Sequence, residues 1–102
     1  MDYDATSLAK LVRSGEVSPR ELAESAALVV ERLNPILNCV IETYPDRIAQ
    51  LDEQDLQEGP FRGVPFLIKD VMIQEEGRKC EMGSRLAAGY VAPADTALMS
   101  RF

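Results

Sequence analysis

The sequence contains no histidine. That absence removes Ser-His-Asp and Cys-His catalysis, and the usual zinc ligand set, from anything these 102 residues build alone. Cysteine is scarce too. Cys39 and Cys80 lie far apart without a Cys-x-x-Cys spacing, so neither a metal site nor a redox motif is supported, and a reduced, cytoplasmic setting is expected. No apolar run approaches the ~20 residues that span a bilayer. The acidic start Met1-Asp2-Tyr3-Asp4 lacks the basic and apolar regions of a signal peptide, and no membrane partner is expected. Positive charge is outnumbered: 11 Lys and Arg against 17 Asp and Glu give a net charge of −6, which argues against a nucleic-acid partner. Internal repeats and low-complexity linkers are also missing. A chain of 102 residues leaves room for one small domain at most.

What is present reads first as helix. A helix is expected from about Asp4 or Thr6 to Ser14, with Leu8, Leu11 and Val12 on one stripe and Gly15 as its left-handed stop. Ser18-Pro19-Arg20-Glu21 combines an N-cap serine, a proline at the first helical position and a glutamate placed to close a capping box. Leu22, Ala26, Val29, Val30 and Leu33 follow at helical spacing, and Asn34-Pro35 is expected to end the element. Leu37 to Thr43 is apolar on both alternating faces and reads as a buried strand, with Cys39 as a small core residue. Pro45 is expected to start a third helix reaching about Asp55, with Ile48 and Leu51 inward. Asp46, Asp52 and Glu53 face outward, and Asp55 and Glu58 extend this solvated acidic face. The glycine and alternating oxygen ligands of a metal loop are absent there, and no cofactor is expected.

The central stretch is Gly59-Pro60-Phe61-Arg62-Gly63-Val64-Pro65-Phe66-Leu67-Ile68-Lys69-Asp70. A turn-forming Gly-Pro leads into an apolar run, Val64 to Ile68, that reads as a short buried strand with Pro65 at its start or at an edge. Lys69 and Asp70 then stand at the carboxyl end, where ligands collect in open α/β sheets. The plain alternative is a lysine that reaches solvent and pairs with Asp70. Val71-Met72-Ile73 continues or pairs with the strand, Glu75-Glu76-Gly77 reads as a turn, and Pro93-Ala94-Asp95 is expected to cap a last helix carrying Leu98, Met99 and Phe102.

Gly59-Pro60-x-x-Gly63-Val64-Pro65-x-x-x-Lys69-Asp70, followed by Gly83-Ser84 and by Asp95, resembles the amino-terminal part of the amidase signature family. These are serine hydrolases with a Ser, cis-Ser, Lys triad, and the looser match runs over nearly the whole chain. The resemblance implies an α/β fold, helices packed on a mixed sheet, of which residues 1–102 are an incomplete amino-terminal fragment of a single domain. It makes Lys69 the catalytic general base, which takes a proton through the cis-peptide serine from the nucleophilic serine. In the family pattern the nucleophile belongs to a later Gly/Ser-rich stretch, and both serines are expected to be missing from these residues. Gly83-Ser84, which alone invites reading as a nucleophile, corresponds to a structural, pocket-shaping segment in the family pattern.

The implied reaction is hydrolysis of an amide C–N bond in a small molecule, linear or cyclic, more than the reaction of the tRNA-dependent amidotransferases. The fragment alone is expected to be inactive. A reading from another class stays open: a non-catalytic binding or assembly module whose strand edges pair with a partner or a second copy, making a homo-oligomer.

Overall fold

A computed structural model describes residues 3–102. The chain divides into two compact units, one ending at Pro65 and the other running from Phe66 to Phe102. In the first unit, α1 spans Ala5–Ser14, α2 Pro19–Leu37 and α3 Pro45–Ala49, followed by a 3-10 turn at Glu53–Asp55.

Local chemistry sets both ends of α1. The Asp4 carboxylate accepts from Ser7 N at 2.7 Å and satisfies one of the orphan amides of the first turn. At the other end Gly15 adopts φ 74°, so that its amide donates to Val12 O and the Glu16 amide to Leu11 O, both at 3.0 Å. These paired bonds form a Schellman stop, which needs the left-handed residue that glycine supplies without a Cβ penalty. The start of α2 is as tightly specified. Ser18 Oγ accepts from Glu21 N at 3.2 Å while the Glu21 carboxylate accepts from Ser18 N at 2.8 Å, closing the capping box behind Pro19.

The far end of α2 differs from expectation. The helix runs through Pro35 to Leu37 and stops at Asn38, which has φ 48°. Pro35 lies so near the end that its missing N–H removes one bond from a ladder about to finish. Asn34 is a cap rather than a breaker: its Oδ1 accepts from Cys39 N and Val40 N, both at 2.9 Å, and its Nδ2 donates to Val40 O at 2.7 Å. Those backbone groups are thereby taken from any strand ladder.

Neither expected strand forms among the described residues. Residues 38–44 and 64–69 are irregular, and the one β feature is an isolated antiparallel bridge between Lys79 and Val91. The mixed sheet expected of an α/β fold is therefore not built by these residues. A ladder needs a neighbouring strand, and sequence period specifies only the face a strand would bury. Cys39 correspondingly lies exposed instead of in a core.

The third helix is also shorter than expected, ending at Ala49. Arg20 closes it by donating to Ala49 O at 2.8 Å and to Leu51 O at 2.7 Å, which places a cation on the last carbonyls and ties α3 to the start of α2. Burial in this unit is thin. Ala9 is buried, whereas Leu28, Val29, Leu33, Ile36, Leu37 and Ile41 are exposed along α2 and the segment after it, Ile36 by 82%. No helix of the described residues is long and apolar enough to cross a membrane.

In the second unit the chain folds back so that residues 74–80 run beside 90–96. Gly77 N donates to Ala92 O and Ala92 N to Arg78 O, both at 2.9 Å, and Cys80 N donates to Tyr90 O at 3.0 Å. Thr96 N donates to Gln74 O at 3.0 Å. Cys80 and Ala92, each 2% exposed, are the centre of this unit, and Phe66 packs on Phe102 with ring centroids 4.8 Å apart. The last helix expected after Asp95 is reduced to a 3-10 turn at Met99–Arg101. Asp95 does not cap it, because its carboxylate accepts from Glu76 N at 2.7 Å instead.

Candidate functional site

The Gly59–Gly63 turn belongs to the first unit, and its residues have structural duties. Arg62 N donates to Gly59 O at 3.3 Å and Val64 N to Phe61 O at 3.0 Å, which rolls the segment into consecutive turns. The Arg62 guanidinium reaches back to the carbonyls of Leu56 and Glu53 and pairs with Glu58 at 3.5 Å. From α1, Arg13 donates to Pro60 O at 3.3 Å. Gly63, at φ 81°, lies directly against the ring of Pro19 and the Val12 side chain. The spacing of the two glycines thus answers to a turn and a close approach, with no chemistry required of either.

Lys69 and Asp70 belong to the second unit. The Lys69 side chain is exposed, and Asp70 is half-buried at the start of a turn running through Met72. Lys69 thus reaches solvent, as the plain alternative expects, and Asp70 bonds to the backbone. Its Oδ1 accepts from Glu81 N at 3.1 Å. The Cys80 thiol also faces this carboxylate: burial first, then the charge of Asp70 and a hydrogen bond to it, push that thiol above its ordinary pKa. Glu81 extends the network, its Oε1 accepting from Gly89 N at 2.6 Å. Met72 and Met82 hold left-handed backbone at φ 70° and φ 55°. For a residue with a Cβ this costs on the order of 1 to 2 kcal/mol, so the hydrogen bonds around both turns offset local strain.

Ser84 stands where an isolated Gly-Ser motif suggests a nucleophile. Here its Oγ accepts from Leu86 N at 3.3 Å and caps the 3-10 turn Arg85–Ala87, a structural task. Among the described residues no group of three or more His, Cys, Asp or Glu could hold a metal ion. A shallow hollow of the second unit is lined by Gln74, Met82, Leu86 and Tyr90. Sequence reasoning missed the Asp70–Glu81 bond, since nothing in local spacing signals a contact between residues 11 apart.

Comparison with known proteins bears directly on the resemblance carried by the Gly59-to-Asp70 pattern. The family model described as Amidase matches residues 20–102, and the chain belongs to this family. Membership implies the amidase signature fold, whose sheet the described residues do not form. The chain is similar to a 6-aminohexanoate-cyclic-dimer hydrolase of Pseudomonas sp. (strain NK87), 37% identical over 100 residues that cover 96% of this chain and 20% of the relative. It is also similar to a glutamyl-tRNA(Gln) amidotransferase component of Alkalilimnicola ehrlichii, 32% identical over 92% of this chain and 20% of the relative. An acylamidase of Rhodococcus erythropolis is 31% identical over 95% of this chain and 22% of its own length. The chain therefore spans about a fifth of the length of the relatives it matches, at their amino-terminal part. No solved structure matches.

Proposed function

We propose that this chain is the amino-terminal part of an amidase that hydrolyses the C–N bond of small-molecule amides, with Lys69 as its general base. The observation that carries the reading is the Gly59-to-Asp70 pattern lying within the residues that match the Amidase family. In the completed site, neutral Lys69 accepts a proton relayed by the cis-peptide serine from the nucleophilic serine. The serine oxygen attacks the amide carbonyl, the amine leaves with a proton, and water then releases the acyl group. These 102 residues supply neither that serine pair nor the donors that hold the oxyanion, so the chain alone is inactive.

Similarity to a hydrolase named for a cyclic amide and to an acylamidase supports a linear or cyclic small-molecule substrate. A cytoplasmic location is part of the same proposal. The test is to join this segment to the carboxyl-terminal part of the cyclic-dimer hydrolase and assay anilides, simple amides and cyclic amides. Lys69→Ala is expected to lower turnover by at least ~10²-fold, and unchanged turnover would overturn the base assignment. A second reading, a non-catalytic assembly module, is favoured by the exposed apolar residues of α2. It gains if the joined protein binds a partner or itself stably and hydrolyses none of the panel.

A further inference from the structure

Asp70 lies next to the proposed base in the chain, and its carboxylate bonds to a backbone amide. Oδ1 accepts from Glu81 N at 3.1 Å. The residue before that donor, Cys80, is 2% exposed and bonded through its own amide to Tyr90 O at 3.0 Å. The residue itself, Glu81, accepts from Gly89 N at 2.6 Å through its carboxylate. Asp70 is thus moored to the best-packed point of its unit. Met72 and Met82, shortly after Asp70 and Glu81 in the chain, hold left-handed backbone.

We propose that Asp70 is a positioning residue, whose carboxylate ties the turn after Lys69 to the Cys80–Glu81 segment and so fixes the direction in which Lys69 leaves the backbone. This rests on the reading of Lys69 as the base and specifies how that base is held. The chemistry favours a mooring over a counter-ion. A carboxylate paired to the lysine stabilises the ammonium and opposes proton acceptance, whereas one engaged by a backbone N–H spends its charge on that donor. The raised pKa of the Cys80 thiol agrees with a carboxylate directed toward it.

Two variants separate the roles. Asparagine at Asp70 keeps an oxygen for Glu81 N and removes the charge; alanine removes both. In the 102-residue chain, hydrogen exchange at the Glu81 amide is expected to stay protected in Asp70→Asn and to quicken by about tenfold or more in Asp70→Ala. An unchanged rate in the alanine variant overturns the mooring. In the enzyme joined to the carboxyl-terminal part of the cyclic-dimer hydrolase, Asp70→Asn is expected to keep kcat within about threefold. Asp70→Ala is expected to lower kcat by about tenfold or more, with KM little changed and the acid limb of the pH profile in place. Equal losses in both variants with a displaced acid limb would mark a counter-ion and overturn the proposal, as would wild-type kcat in Asp70→Ala. Lys69→Ala, run alongside, reports on the base itself: turnover retained there fails the base reading, while the exchange result still decides whether Asp70 moors the turn.

Discussion

Gly63 lies so close to Pro19 that a Cβ built on it would stand 2.7 Å from Pro19 Cγ and 3.1 Å from Val12 Cγ1. Pro19 is buried at the start of α2 and its ring has no flexible end to move aside. Gly63 also holds φ 81°, which side-chain-bearing residues adopt at a cost. Gly63→Ala is therefore expected to destabilise the chain by roughly 2 kcal/mol, the sum of backbone strain and a forced shift at the α1–α2 junction. Denaturant unfolding followed by circular dichroism measures it. Gly59, which has open space where a Cβ would go, is the control and is expected to tolerate alanine far better.

Acid should loosen the helices from their amino-terminal ends. Backbone bonding to Ser7 holds the Asp4 carboxyl below its ordinary value of 3.8, and backbone bonding to Ser18 holds Glu21 below 4.5. The unfolded chain then binds more protons than the folded one in this range, so the contribution is complete above about pH 5 and is lost as pH falls through the lowered folded values. Helical signal is expected to hold down to about pH 5 and to decline below about pH 4, with a shallower decline in Glu21→Gln, which retains a side-chain oxygen for the cap. An unaltered acid profile in that variant would separate the cap from acid stability.

The apolar residues left in solvent carry their own consequence. Ile36 is 82% and Ile41 77% exposed, and Leu28, Val29, Leu33 and Leu37 lie on the same stretch. Uncovered apolar surface of this extent favours association. The 102-residue chain is expected to bind a hydrophobic dye and to scatter light as more than a monomer at micromolar concentration. Ile36→Lys should diminish both; a sharply melting monomer without dye binding would show that the chain covers this surface itself.

The legible parts of the fold were those written within a few residues. Asp4 with Ser7, Gly15 with Leu11 and Val12, and Ser18 with Glu21 each settle a helix end through partners at most five positions away, and sequence spacing carries them. Asn34-Pro35 misleads because Asn34 side-chain bonds to Cys39 and Val40 cannot be read from the pair itself. The segments 37–43 and 64–68 have the composition of buried strands, but pairing is a property of two segments and no second one meets them among the described residues. Asp95 misleads similarly, its carboxylate being taken by Glu76, 19 residues away. At the candidate site, the motif singles out Lys69 through its position in the chain, whereas the bond between Asp70 and Glu81 is visible only in three dimensions.

The central claim, that Lys69 serves as a proton-accepting base, is tested most directly by Lys69→Arg in the enzyme joined to the carboxyl-terminal part of its relative. Arginine keeps the positive charge and most of the bulk but cannot be deprotonated in a protein, so it cannot take the serine proton. The account predicts turnover as low as in Lys69→Ala, at least ~10²-fold below wild type, with substrate binding much less affected. A lysine that only reached solvent or paired with a carboxylate would accept arginine with modest loss. Near-normal turnover in the arginine variant would contradict the account and leave Lys69 a solvent-facing lysine without a catalytic role.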